Sequence, residues 1–202
     1  YVLLISGHII RWSPEDVEAT VITLEGSMGL GRESETAGGS NLSHSLQLYV
    51  DHTGNHALIV QEGGETWYLH SSLTKARHIH KLSSYLVTSV AWNTIETSRT
   101  SSTSIIMGCR KGCILTTILG PDISPSAAVI RILHEMPGSS ILGVIIDSYR
   151  PNTVESDMDD ESNVSLNKVR YAVVASTQTR LILWHGQNRI IDLFSKNGKS
   201  PD

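Results

Sequence analysis

The chain has little charge, few cysteines and no long apolar run, and each scarcity closes off a class of function. Of its 202 residues 18% are charged, and 16 basic against 20 acidic side chains leave a formal net charge of -4. Without a basic excess, general binding to a nucleic-acid backbone is not expected, nor is a polybasic tether to a membrane surface. No apolar stretch approaches the roughly 18 residues needed to cross a bilayer. The two cysteines, Cys109 and Cys113, are too few for a disulfide framework. Their C-x-x-x-C spacing, with no second pair and no histidine at zinc-knuckle distance, does not assemble four metal ligands. They read as small apolar residues flanking a hairpin turn, in a reducing compartment. Apolar residues, at 40%, suffice for a core, and Ser and Thr fill much of the remainder. Composition therefore describes a soluble, globular, β-rich chain.

Both ends read as cut. The chain opens Tyr1-Val2-Leu3-Leu4-Ile5, with no initiator Met, and reaches Gly7 and His8 too soon for a signal peptide. It closes on a polar run over 196–202. The expectation is a piece of a longer protein.

Four short stretches share one layout of two apolar runs around a tight polar turn. They are 3–5 with 8–12, 57–60 with 66–69, 104–108 with 113–115, and 171–175 with 180–184. β-Branched or aromatic runs closed by Ser-Gly, Gly-Gly or Arg-Lys-Gly turns predict β-hairpins. A further strand stands ahead of three of them, at 46–51, 87–92 and 141–147. Strand candidates also follow the hairpins, clearest at 76–82. Polar or acidic insertions at 26–41, 94–103 and 151–163 lengthen the repeat, and are expected to be flexible loops. Without them about 40 residues remain per unit, close to the ~40–45 of a four-stranded blade.

The fold expected is thus all-β, part of a WD40-like β-propeller, with about four blades of a seven-bladed ring. Residues 1–202 form a single segment of it, incomplete at both ends. Such a segment exposes two flanks that further blades would cover.

Few residues offer chemistry. His78 and His80 alternate on the strand read over 76–82 and so share a face. Their neighbours Arg77 and Lys81 are cationic, no carboxylate is adjacent, and solvent-facing strand positions are expected. His44, His52, His56 and His70 are scattered among turns and strand ends with no spacing that defines a site. The acidic cluster Glu155, Asp157, Asp159, Asp160 and Glu161 fails as a calcium loop, since Ser162 and Lys168 stand where Gly and Glu are needed. The glycine-rich run 26–31 lacks the Lys-Ser/Thr ending of a phosphate loop. No Gly-x-Ser-x-Gly elbow is present. The sequons at Asn41 and Asn163 matter only in a secreted chain. Trp12, Trp67, Trp92 and Trp184 occupy comparable places in the repeat and are expected to pack between blades. Catalytic, cofactor-binding and metal-ligating residues are all read as none.

The run 50–60, from Val50-Asp51-His52 to Leu58-Ile59-Val60, followed by Trp67-Tyr68-Leu69-His70 and 86–93, is distinctive. It resembles the N-terminal propeller of the deep-orange family, also called vacuolar protein sorting-associated protein 18. The resemblance extends through 105–108 and 112–115 to 170–184, and leaves the loops 26–41 and 151–163 without counterpart. It implies a non-enzymatic core subunit of the HOPS and CORVET tethering complexes, acting in vesicle docking and fusion at endosomes and the vacuole or lysosome. Other class C tethering subunits would be its partners, with SNAREs or small GTPases reached indirectly. Localisation would be cytoplasmic, peripheral on late-endosomal and vacuolar or lysosomal membranes. The family's helical solenoid and RING-type zinc module have no counterpart here. Two other readings stand beside it. One is a propeller from a coat or scaffold protein of clathrin-like or nuclear-pore type. The other is a propeller enzyme using Asp51 and Asp147 on inner strands.

Overall fold

A computed structural model of the chain describes residues 1–3, 8–12, 18–24, 45–150 and 169–195. The first unit holds β1 (Val2–Leu3), β2 (Ile9–Arg11) and β3 (Thr20–Leu24). The second is β4 (Leu46–Val50), β5 (His56–Gln61), β6 (Thr66–His70) and β7 (Lys75–His78), followed by a 3-10 turn at His80–Leu82. The third is β8 (Val87–Ala91), β9 (Ser102–Cys109), β10 (Cys113–Leu119) and β11 (Arg131–Glu135). The fourth is β12 (Gly143–Tyr149), β13 (Arg170–Ser176) and β14 (Leu181–Gln187), followed by a short helix α1 (Ile190–Phe194). All four expected hairpins form as antiparallel pairs, β1–β2, β5–β6, β9–β10 and β13–β14. The three inner strands β4, β8 and β12 each pair antiparallel with the first strand of the hairpin that follows. The architecture is all-β and propeller-like, with two complete four-stranded blades in the middle.

The blades are held together by apolar layers between them, and strand alternation decides which layer each residue joins. From the second blade, Ala57, Ile59, Trp67 and Leu69 pack with Ile9 and Ile22 of the first unit. Their neighbours Leu58, Val60 and Tyr68 point the other way, onto Ile105, Met107, Cys109, Cys113 and Leu115 of the third. From that third blade Ala91, Ile106 and Ile114 face Val144, Tyr171, Val173 and Ala175 of the fourth. This two-sided burial explains why 57–60 and 105–109 read as continuous apolar runs rather than alternating ones. In the fourth blade the alternation returns. Tyr171, Val173 and Ala175 are buried, whereas Ile145, Val174 and Leu183 lie side by side on the opposite face. Ile145 is 64% and Leu183 54% exposed. Helix α1 closes the third layer with Ile190 and Leu193.

Four particulars differ from the sequence reading. The first unit and second blade join into one seven-stranded sheet, because β3 pairs parallel with β7 through Thr23–Lys75 and Leu24–Ala76. That contact covers part of the open edge of β7. The strand expected over 76–82 ends at His78, where Leu82 N–H bonds Ile79 C=O and the chain turns, sinking Ile79 and Leu82 into the core. Within 94–103 a β-bridge joins Thr97 to Ser102, both buried, and β9 takes up the last two residues. Trp12 does not pack between blades but is exposed, while Trp67 is buried and Trp92 and Trp184 lie half-buried against the inter-blade layers.

Gly112 and Gly138 share a φ of +81° but not their surroundings. Gly112 sits in the β9–β10 turn, with its carbonyl accepting from Met136 N–H at 2.6 Å. A Cβ there would strike the carbonyl oxygens of Met136 and Ser139, whereas at Gly138 it would meet nothing within 4 Å. Gly112→Ala is therefore expected to destabilise the protein by roughly 3 kcal/mol or more, and Gly138→Ala by about 1 kcal/mol. Urea denaturation midpoints of the two variants check the difference.

Candidate functional site

The stack presents two ends. One carries the turns within the hairpins and the links from each blade to the next. There a cleft of about 430 Å³ opens between the third and fourth blades, lined by Arg110, Lys111, Ser139, Ser140, Thr177 and Thr179. Arg110 also reaches Glu62 of the second blade at 3.7 Å, an exposed pair spanning the seam between blades. The other end carries the links from each inner strand to its hairpin, and here the chain builds its most developed polar network.

That network starts at Asp51, which is 4% exposed at the end of β4. Its Oδ2 accepts the Thr53 N–H at 2.9 Å and the Thr53 hydroxyl, while Oδ1 accepts the His56 N–H at 2.7 Å. Gly54, at φ +70°, lets the chain turn tightly enough for this. Burial pushes the Asp51 carboxyl up, but the hydrogen bonds from Thr53 and His56 outweigh it and hold the group below its ordinary value. The turn aims His56, fully buried, into the seam. His56 Nδ1 lies 2.7 Å from the Tyr68 hydroxyl and Nε2 2.7 Å from the Ser98 carbonyl. His70, directly opposite on β6, lies with Nε2 2.8 Å from the Arg99 carbonyl and Nδ1 2.7 Å from the Ser72 hydroxyl. The Ser72 N–H also donates to that Nδ1, at 3.1 Å. A carbonyl can only accept, so each ring presents an N–H at Nε2, and the Ser72 N–H finds a lone pair on His70 Nδ1. Burial lowers the pKa of His56 below the usual imidazole range.

The scattered histidines are thus brought together in part. His56 and His70 form a cross-strand pair with ring centroids 5.0 Å apart. A signal for this existed in the sequence: the two residues are equidistant from Gly63 in the hairpin turn, so antiparallel pairing alone places them face to face. His52 is exposed, and His44 lies outside the described residues. Of His78 and His80, expected to face solvent, His80 is exposed and His78 is not. His78 is half-buried, its ring tilted beside Trp67 and set against the Glu65 carboxylate, a neighbour that linear distance did not suggest. His80 belongs to the 3-10 turn, and its Nε2 meets His78 Nδ1 at 3.2 Å. The ring nitrogens thus face each other rather than a common point. Among the described residues no group of three or more His, Cys, Asp or Glu side chains could hold a metal ion.

Cys109 and Cys113 are free and buried in the layer between the second and third blades, and burial pushes both thiols up. As candidates for catalysis, the inner-strand acids are occupied or apart: Asp51 braces its turn, and exposed Asp147 accepts from the Ser148 N–H at 2.7 Å. The glycine-rich run 26–31, the acidic cluster 155–161 and both sequons lie outside the described residues. Among the described residues no helix is long and apolar enough to cross a membrane.

Comparison with known proteins gives a consistent answer. Residues 31–199 match the model of the Pep3/Vps18/deep orange beta-propeller domain. A curated relative, vacuolar sorting protein 18 of Arabidopsis thaliana, is 25% identical over 179 residues. The alignment covers 87% of this chain but 17% of the relative, so the chain corresponds to a small part of that protein's length.

Because Asp51 satisfies three donors at the turn that aims His56, Asp51→Ala is expected to cost about 2–3 kcal/mol. The depressed carboxyl adds stability that is complete above its unfolded value and fades as pH falls through the folded one. The variant should therefore lose less stability than the wild type on acidification through that carboxylate window, as urea titrations at stepped pH would read.

Proposed function

Since the chain belongs to the Pep3/Vps18/deep orange β-propeller family, we propose that it is the propeller portion of a vacuolar sorting protein, working as a non-catalytic interaction scaffold in a HOPS/CORVET-type tethering complex. The observation that carries this reading is the family match across 31–199, laid over blades that pack their buried apolar side chains against one another. Such a stack supplies rigid ends and edges for partner proteins rather than a reaction centre. The occupied Asp51 weighs against the propeller-enzyme reading, because its carboxylate already holds its own turn. Partners would be the other class C subunits, with SNAREs or small GTPases reached through them. Association with late-endosomal and vacuolar or lysosomal membranes would be peripheral and would run through the complex.

The exposed apolar face of Ile145, Val174 and Leu183 fits the same reading, as a surface covered by a further blade of the full-length protein. Leu183→Asp in the full-length protein is then expected to cost about 2 kcal/mol or more, through a charge placed in an apolar layer. An unchanged unfolding midpoint would mean that this face stays open.

Affinity purification of the tagged full-length protein, with mass spectrometry of what co-purifies, tests the functional reading. Stoichiometric recovery of class C subunits is expected. Recovery of clathrin-like coat or nuclear-pore components in their place would leave the fold standing and overturn the tethering role.

A further inference from the structure

His56 and His70 do one thing together that neither family membership nor a scaffold role requires. Their Nε2 atoms reach the carbonyls of two successive residues, Ser98 and Arg99, in the connection between β8 and β9. Two imidazoles from one hairpin thus clamp the backbone of the neighbouring blade's β8–β9 link. We infer that this pair is a pH-sensitive latch, closed while both rings are neutral and opened by protonation, which frees the 94–101 connection.

The chemistry on the Nδ1 side makes the latch sensitive. At His70 the Ser72 N–H points at Nδ1, so a proton arriving there would face another donor. At His56 the Tyr68 hydroxyl donates to Nδ1, and protonation would oblige this buried group to turn its hydrogen elsewhere. Either ring, once charged, sits 5.0 Å from the other with little solvent between them. Relief comes from rotating a ring out of the seam, which takes its Nε2 off the carbonyl.

The surrounding charges do not cancel this. Asp51, from the β4–β5 turn, favours a charged His56, as does the Ser98 carbonyl itself, but burial and the His70 ring act against them. The Asp51 carboxylate is also already engaged by Thr53 and the His56 N–H, with His52 at 4.0 Å beside it. From β2, Arg11 donates to the carbonyls of Ser71 and Leu73, just past His70 in the chain. Arg99 lies in the latched segment, Arg77 of β7 and Tyr1 act on Tyr68, and the Trp92 ring borders His56. With its folded pKa below the ordinary value, His56 contributes stability that is complete above about pH 6.5 and is lost as pH falls toward the folded value.

Amide hydrogen exchange of the full-length protein, at about pH 7.5 and about pH 5.5 and corrected for intrinsic chemical exchange, reads the latch directly. Protection over 94–101 is expected to fall by roughly tenfold or more at the lower pH, while β10 keeps its protection. In the double variant His56→Gln/His70→Gln, whose amides can donate but do not titrate in this range, the fall should vanish. Unchanged protection in the wild type, or a fall that persists in the double variant, would overturn the inference. Should the variant not fold, nitrogen NMR of the wild-type histidines decides the matter. Neutral Nε2–H rings at the higher pH, whose titration moves the Ser98 and Arg99 amide signals, support the latch. Rings already charged at that pH, or titrating without a response in those amides, refute it.

Discussion

The two middle blades each bury two apolar faces, and neither could do so alone. A single four-stranded sheet carrying Leu58, Val60 and Tyr68 on one side and Ala57, Ile59 and Trp67 on the other would leave both sides in water. Stacking solves this by giving each face a neighbour, so that Ile105 and Met107 answer Leu58, and Val173 and Ala175 answer Ile106. The rest of the molecule follows from that demand. Turns are tight where neighbouring links press on them, as at Gly112, and α1 folds back because Ile190 and Leu193 can extend the last layer.

Polar groups enter this packing at the links between strands, where backbone groups need partners. The links at the ends of the stack carry carbonyls and N–H groups that no strand pairs. Asp51 satisfies the donors of one link, and His56 and His70 satisfy acceptors of the next. The result couples adjacent blades through hydrogen bonds as well as through apolar area. It also places two titratable rings where loss of neutrality has a mechanical consequence, because the groups they hold lie on a different blade.

A scaffold role is consistent with where the chain spends its chemistry. The thiols of Cys109 and Cys113 fill a layer, Asp51 braces a turn, and Tyr68 donates to His56 within the core. Outward lies loop surface, such as the cleft bordered by Arg110, Lys111 and the hydroxyls of Ser139, Ser140, Thr177 and Thr179, beside the strand face of Ile145, Val174 and Leu183. Surfaces of that kind distinguish ligands by shape and charge.

Local patterning in the amino-acid sequence determined the hairpins, the inner strands and the blade class, because apolar runs closed by short polar turns pair with their neighbours in the chain. It also held, unread, the meeting of His56 and His70, since their equal distance from Gly63 sets the register. Tertiary structure alone decided the rest. The parallel contact between β3 and β7 joins residues far apart in the chain, and no local signal marks it. The early end of β7 follows from the pull of Ile79 and Leu82 into the core. Glu65 meets His78, and Ser98 and Arg99 meet the two buried histidines, only because stacked blades bring distant backbone together. Pairing within a blade is written in neighbouring residues, whereas contact between blades depends on packing geometry that becomes defined only when the layers close.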